Sequence, residues 1–268
     1  MEEISYRPLI EAMTWSHSRL KTYDDCPYRW FMTYIHIPEL KKEDKFYAAY
    51  GSFMHELLEK YYKGENSKQE ILMTFLIQFK DRTKGSGRPK VSTVKKYFDA
   101  GVEFIKSLEP MRFKTISVEE EINFKIGGIN FTSRIDYIGE ENGELVIVDH
   151  KSRNLKHRSK RENPTLKDKE LDLMLRQLYI YAEAVHQKYG KLPKLLCFNC
   201  FRTGTFIEEP FNEDAYHEAI SWAKNKVEEI SGADEFYPNQ EFFSCYYICE
   251  LSNYCCYDRE ARAKRRIR

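Results

Sequence analysis

A chain of 268 residues that is 42% hydrophobic and 32% charged fits a soluble globular protein, either one large domain or a domain with an appendage. The formal net charge of +1 leaves no global basic field, so any nucleic-acid surface must come from local clustering. No stretch approaches the length of a transmembrane helix, the opening MEEISYRP has neither a basic n-region nor an apolar run, and seven cysteines in such a chain do not read as a disulfide framework. The expectation is an intracellular protein with no membrane partner.

Residues 14–35, TWSHSRLKTYDDCPYRWFMTYI, read as a helix with a break. Ser16 or Ser18 caps a first segment through Tyr23, and Pro27 opens a second whose Trp30, Phe31 and Tyr34 recur at helical spacing. Cys26 falls at the junction, where burial as a small apolar residue is the ordinary fate of a cysteine. Residues 47–63 predict a helix on which His55 and Glu59 share a face. That pair is either surface decoration or a sign of His55 beside a metal, as a neutral imidazole ligand. A helix over 67–80 follows, with a Ser67–Glu70 capping box. The basic loop RTKGSGRPK, a solvated linker or a phosphate contact, then leads into a helix over 91–108.

A sheet begins next. ISVEEEINFKI and INFTSRIDYI are separated by Gly127-Gly128, and LVIVDHK makes a third strand. Glu119 and Glu121 on the first strand could add a carboxylate to a site, but read first as exposed-strand glutamates. Between the second and third strands lies Asn142-Gly143, the pair that best tolerates the positive φ angles of a type I′ turn. If those two residues are the whole loop, Glu141 faces Glu144, Asp136 faces Asp149 and Arg134 faces Lys151. Facing residues hold their Cβ atoms about 4.5–5.5 Å apart. Alternation then puts Asp136, Asp149 and Lys151 on one face, with Ile135, Tyr137, Val146 and Val148 on the other. Opposed carboxylates repel, so something positive belongs between them. Mg²⁺ suits, since it takes one or two carboxylates plus waters and phosphate oxygens. Such an ion activates water against a phosphodiester, and Lys151 is placed to orient that water or to stabilise developing negative charge. The same charges also fit an ordinary exposed hairpin.

After Lys151 the chain turns basic. Arg153, Lys156, Arg158, Lys160 and Arg161 lie in a loop suited to salt-dependent contact with backbone phosphates, or simply to solvent. Residues 170–189 predict a helix with Gln177 and Tyr181 on one face. Residues 193–202 predict a fourth strand, whose Cys197 and Cys200 point to opposite faces and so cannot share one ion, and 205–210 a further strand. Asn212 caps a helix running to about Ile230. Cysteines at 245, 249, 255 and 256 then crowd together, which in a reducing compartment suggests a metal or cluster, and ARAKRRIR follows as a basic tail.

Taken in order, SHSRLKTYDDCPYRW, GSFMHELLEKYY, RIDYI, LVIVDHKS, QLYIY and the C-terminal cysteines resemble the RecB-like, AddB-like branch of the PD-(D/E)XK nuclease superfamily, which includes recombination exonucleases and the nucleases of CRISPR spacer acquisition. The matching pieces span residues 16 to 255. The resemblance implies a restriction-endonuclease-like α/β core, a central mixed β-sheet flanked by helices, in a single domain. Its parts would be a helical stretch over 1–110, a sheet core with the site over 111–210, and a helix with the cysteines over 211–268. It implies that His55, Asp136 and Asp149 bind Mg²⁺ or Mn²⁺, that Lys151 is the catalytic lysine, and that Gln177 and Tyr181 form the QxxxY motif that assists DNA binding and cleavage. It further implies a 4Fe–4S cluster held by Cys26, Cys245, Cys249 and Cys255.

There are departures. Ser133 precedes Arg134 where glycine is usual, Asp149 stands for a glutamate, His150 for a tyrosine, and the cysteines read C-x3-C-x5-C rather than C-x2-C-x5-C. Cys256 is an alternative fourth ligand, and four thiolates also suit zinc. The expected activity is that of a metal-dependent DNA exonuclease of phage or bacterial origin, acting on single strands or ends. The settings implied are recombination, repair, or mobile-element and CRISPR-type processing, with protein partners from such a complex. The alternative is a DNA-binding or scaffold protein that keeps the fold and the cysteine site without useful catalysis.

Overall fold

The computed structural model describes residues 6–36, 45–85 and 88–255. The centre of the RTKGSGRPK loop, Cys256 and the basic tail lie outside the described residues. The helices before the sheet are α1 (Arg7–Glu11), α2 (His17–Asp25), α3 (Pro27–Tyr34), α4 (Phe46–Tyr62), α5 (Lys68–Arg82) and α6 (Val91–Lys106). The strands are β1 (Lys114–Ile126), β2 (Ile129–Glu141), β3 (Glu144–Lys151), β4 (Leu195–Cys200) and β5 (Thr205–Pro210), with α7 (Leu166–Tyr189) before β4 and α8 (Glu213–Ser231) after β5. A short π-helical turn over Ser244–Ile248 closes the described chain.

The helix starts are chemical. Ser16 caps α2 through the amide of Arg19, and Ser67 and Glu70 close a reciprocal capping box on α5. Cys26 caps α3, its Sγ accepting from the amide of Arg29, while Pro27 supplies the fixed φ of the first turn. α7 starts earlier than its periodicity predicts, because Thr165 caps it and Asp168 accepts from the amides and hydroxyls of both Ser159 and Thr165. Those four donors hold the Asp168 carboxyl well below the usual range and pin the end of the basic loop to the helix.

The sheet order is β1-β2-β3-β4-β5. All pairs are antiparallel except β3 with β4, which run parallel because α7 carries the chain back between them. Asn142 and Gly143 take φ of 55° and 85°, and the β2–β3 ladder runs from Glu141↔Glu144 to Tyr137↔Val148, the register that counting outward from the turn predicts. A mixed five-stranded sheet flanked by helices is the expected α/β arrangement.

The larger core packs one face of the sheet against α2, α3, α7 and α8. A second core joins α4, α5 and α6, with Phe46, Tyr50, Phe53, Leu57 and Leu58 forming the inward stripe of α4. Each such buried side chain contributes about 1.5–3 kcal/mol relative to exposure. A small cluster of Phe113, Tyr137, Val146, Val148 and Cys197 lies on the opposite face of the sheet from Ile138 and Ile147. Ile135, expected beside Tyr137, packs in the larger core instead. The alternation fails there because Glu119, across the ladder, has a φ of 53° and breaks the regular pleat. Cys197 and Cys200 are fully buried in different cores. No helix among the described residues is long and apolar enough to cross a membrane.

Candidate active site

Five elements converge where β2 and β3 part. Their ladder ends at Tyr137↔Val148, one place short of the expected pair Asp136 and Asp149. The strands have already separated, so the amide of His150 donates to Asp136 Oδ2, at 2.7 Å, instead of to a main-chain carbonyl. Arg134 does not reach Lys151, its predicted neighbour; its guanidinium goes to Glu119 at 2.6 Å and Glu59 at 3.5 Å.

α4 brings His55 over this opening. Its Nδ1 lies 3.5 Å from Asp136 and 3.9 Å from Glu119. Glu59, which the sequence pairs with His55, bonds Lys63 instead. Glu119 is the residue that strand alternation misplaces. Read as exposed, its side chain is 8% accessible, turned inward by its left-handed backbone, whereas Glu121 stays on the surface. Nothing in the EEE run singles out the inward one. His55, Glu119 and Asp136 each offer a ligand atom, all within 4.8 Å of one another.

Burial works to lower the pKa of His55, but the carboxylates of Asp136 and Glu119 prevail and hold it protonated, up to about 10. Burial opposes ionisation of Asp136, and His55 with the His150 amide outweighs it, keeping that carboxyl low. Asp149 shifts the other way. It is buried, and burial together with the charge of Asp136 pushes it up despite Lys151. His150 is driven down to about 4 by burial and stacks on Tyr62, neutral.

α7 completes the group. Lys151 Nζ lies 2.8 Å from Asp149 Oδ2 and donates to Gln177 Oε1 at 2.8 Å, while Gln177 Nε2 donates to the Tyr181 hydroxyl at 2.5 Å. Burial beside Asp149 and Asp136 keeps Tyr181 protonated. Buried Asp149 Oδ2 has the Lys151 charge beside it and no further donor among the described residues. An orphaned buried carboxylate oxygen, and a histidine among carboxylates filled by its own proton, form a donor set suited to Mg²⁺ or Mn²⁺. The proton and a cation compete there, because an imidazole ligand must be deprotonated.

The basic loop is partly neutralised. Arg158 bonds Asp172 at 2.7 Å and Glu209 at 2.8 Å, and Arg153 lies 3.8 Å from Glu170, while Lys156, Lys160 and Arg161 are exposed or nearly so. Sequence reasoning missed Arg202. Its Nε donates to the Ser152 carbonyl at 2.7 Å, directly after Lys151.

On the far side of α3, Cys26, Cys245, Cys249 and Cys255 line one pocket. Arg29 bonds Glu250 through two nitrogens, at 2.7 and 3.3 Å, tying α3 to the cysteine segment. Burial pushes the Cys249 thiol up to about 11, with Arg29 pulling the other way.

A crystal structure of a candidate exonuclease from Eubacterium rectale is 13% identical over 97% of this chain and 91% of its own, with a TM-score of 0.51. The two therefore share a fold. A second solved structure, SSO0001, is 16% identical over 89% of this chain and 95% of its own, at a TM-score of 0.29, too low to carry an argument. Comparison with curated proteins finds no match. The family model of the PD-(D/E)XK nuclease superfamily matches residues 14–256, almost the whole chain and every side chain of the convergence just described, and the chain belongs to that superfamily.

Proposed function

We propose that this chain is a Mg²⁺- or Mn²⁺-dependent deoxyribonuclease of the RecB-like branch, working as an exonuclease on single strands or DNA ends. The observation that carries the reading is Lys151, held between Asp149 and Gln177 beside the ligand group of His55, Glu119 and Asp136. A protein that only binds DNA gains nothing from burying opposed carboxylates, which cost stability.

His55, Asp136, Asp149 and Glu119 would hold the cation. When bound, it neutralises charge on the phosphodiester and makes a neighbouring water more acidic. Lys151 then donates to the water or to a phosphate oxygen as negative charge develops. Gln177 fixes the Lys151 ammonium, and Tyr181 fixes Gln177 while its protonated hydroxyl remains a donor. Lys156, Lys160 and Arg161 contribute nonspecific phosphate contacts.

Cys26, Cys245, Cys249 and Cys255 would hold a 4Fe–4S cluster that clamps α3 to the C-terminal segment within a single domain; zinc is the second occupant the thiolates allow. Closing so long a loop restricts the unfolded chain. Recombination, repair, and mobile-element or CRISPR-type DNA processing are the settings in which such an activity is used.

The test is cleavage of a labelled single-stranded oligonucleotide in Mg²⁺, Mn²⁺ and EDTA by anaerobically purified protein. Metal-dependent shortening supports the reading, and binding without cleavage under all metals favours the scaffold alternative. Iron content and visible absorption of the same sample separate the cluster from zinc.

A further inference from the structure

A groove of about 540 Å³ runs along the outward stripe of α4. His55 and Glu119 line one end, Tyr47 the other, and Gly51 and Ser52 lie between. Eight residues at 1.5 Å rise separate Tyr47 from His55 by about 12 Å. Among the described residues, no atom outside the local helix backbone lies within 4 Å of where a Cβ on Gly51 would stand, which leaves the middle of the groove open to them. Neither the metal group nor the lysine network uses Tyr47.

The Tyr47 ring belongs to an aromatic group that reaches the surface. It lies 5.5 Å from Tyr97, 6.3 Å from Phe243 and 6.3 Å from Tyr247, and Phe243 is 50% exposed. The Arg202 guanidinium sits 5.3 Å over Tyr97 while its Nε holds the Ser152 carbonyl. One cation therefore links the end of the catalytic strand to the aromatic group. The groove itself is acidic, with Glu56, Glu59 and Glu119 on its walls and Arg134 already engaged. Those carboxylates repel phosphates, so a strand reaching the site needs a grip other than charge, and the aromatic faces at the Tyr47 end offer one.

We propose that Tyr47 and Phe243, with Arg202, form a stacking site for an unpaired nucleic-acid strand, seating a base about 12 Å from the metal ligands. The choice of a nucleic-acid strand as occupant rests on the nuclease reading. Bases of an unpaired strand offer both π-faces to a ring, whereas in a duplex only the terminal pair does. The site therefore selects single strands over duplex without reading sequence.

The test uses Lys151→Ala protein in Mg²⁺ and fluorescent single strands in which one abasic residue is walked along the chain. Loss of one stacked base is expected to weaken binding by roughly 5- to 100-fold at one or two adjacent positions only. Tyr47→Ala added to that background is expected to weaken the intact strand to a similar degree and to erase the position dependence. Tyr47→Phe, which keeps the ring, stays within about twofold, and duplex affinity is unchanged in both. An abasic walk without a minimum, or equal losses for duplex and single strand, overturns the proposal; the walk needs no Tyr47 variant, so a misfolded Tyr47→Ala does not shelter it. Position-dependent binding by a wild-type protein that cuts nothing in Mg²⁺ or Mn²⁺ sinks the nuclease reading and leaves the stacking site standing. Cleavage with a flat abasic walk does the reverse.

Discussion

Replacing Asp149 by asparagine should make the metal-free protein more stable and the metal-bound protein less so. Asp149 is 2% exposed, its Oδ2 lacks a hydrogen-bond donor, and burial with the Asp136 charge raises its pKa. A carboxyl whose folded pKa lies above the unfolded value contributes stability below the unfolded pKa. That contribution is lost as pH rises through the folded one. At pH 7–8 the wild type thus carries the full cost of the ionised group, about 1–3 kcal/mol or more for an unsatisfied buried polar group. Asparagine keeps the shape and removes the charge, at the expense of the Lys151 ion pair. For a chain of this size about 2–4 °C of Tm corresponds to each kcal/mol, so Asp149→Asn should melt several degrees higher in EDTA at pH 8. The gain should shrink toward pH 4. Saturating Mn²⁺ adds about 2.7 kcal/mol to the wild type at a hundred times its Kd, and the variant should lose most of that increment. Scanning calorimetry in EDTA and in Mn²⁺ reads both effects. A variant that melts lower in EDTA, or that keeps the full metal shift, would refute the account of Asp149.

Glu119→Gln should weaken Mn²⁺ binding at least tenfold by calorimetric titration, while Glu121→Gln, on the exposed side of β1, should leave it unchanged. Because His55 stays protonated up to about 10 and must lose that proton to bind metal, apparent Mn²⁺ affinity should climb with pH between 6.5 and 9. The slope, up to tenfold per pH unit, should flatten in His55→Asn. Gly101→Ala places a Cβ 2.4 Å from the Phe75 ring between α5 and α6, so overpacking should cost about 1–3 kcal/mol, measured by denaturant unfolding. Arg29→Ala strands half-buried Glu250 and should lower Tm by a few degrees, with faster proteolysis after residue 231.

The parts legible in the sequence were those set by short-range chemistry. Asn142-Gly143 fixed a two-residue turn, and a period of two then carried the register to Tyr137 and Val148. Ser16, Ser67, Asn212 and Pro27 marked helix starts through groups within three residues of themselves. The illegible parts depend on residues far apart in the chain. Glu119 enters the site through a left-handed backbone that its neighbours do not announce. Arg158 is committed to Asp172 on α7 and Glu209 on β5, so composition overstated the charge its loop offers. Tyr47 and Arg202 become neighbours of the site only when α4 and the end of β4 pack together.

The most direct measurement of the central claim is digestion of end-labelled linear and covalently closed circular DNA by the wild type and Asp149→Ala, side by side in Mg²⁺ or Mn²⁺. Progressive shortening of the linear strand by the wild type, an untouched circle, and no product from Asp149→Ala are predicted. Undiminished cleavage by Asp149→Ala would contradict the site, and rapid cutting of the circle would contradict the exonucleolytic mode.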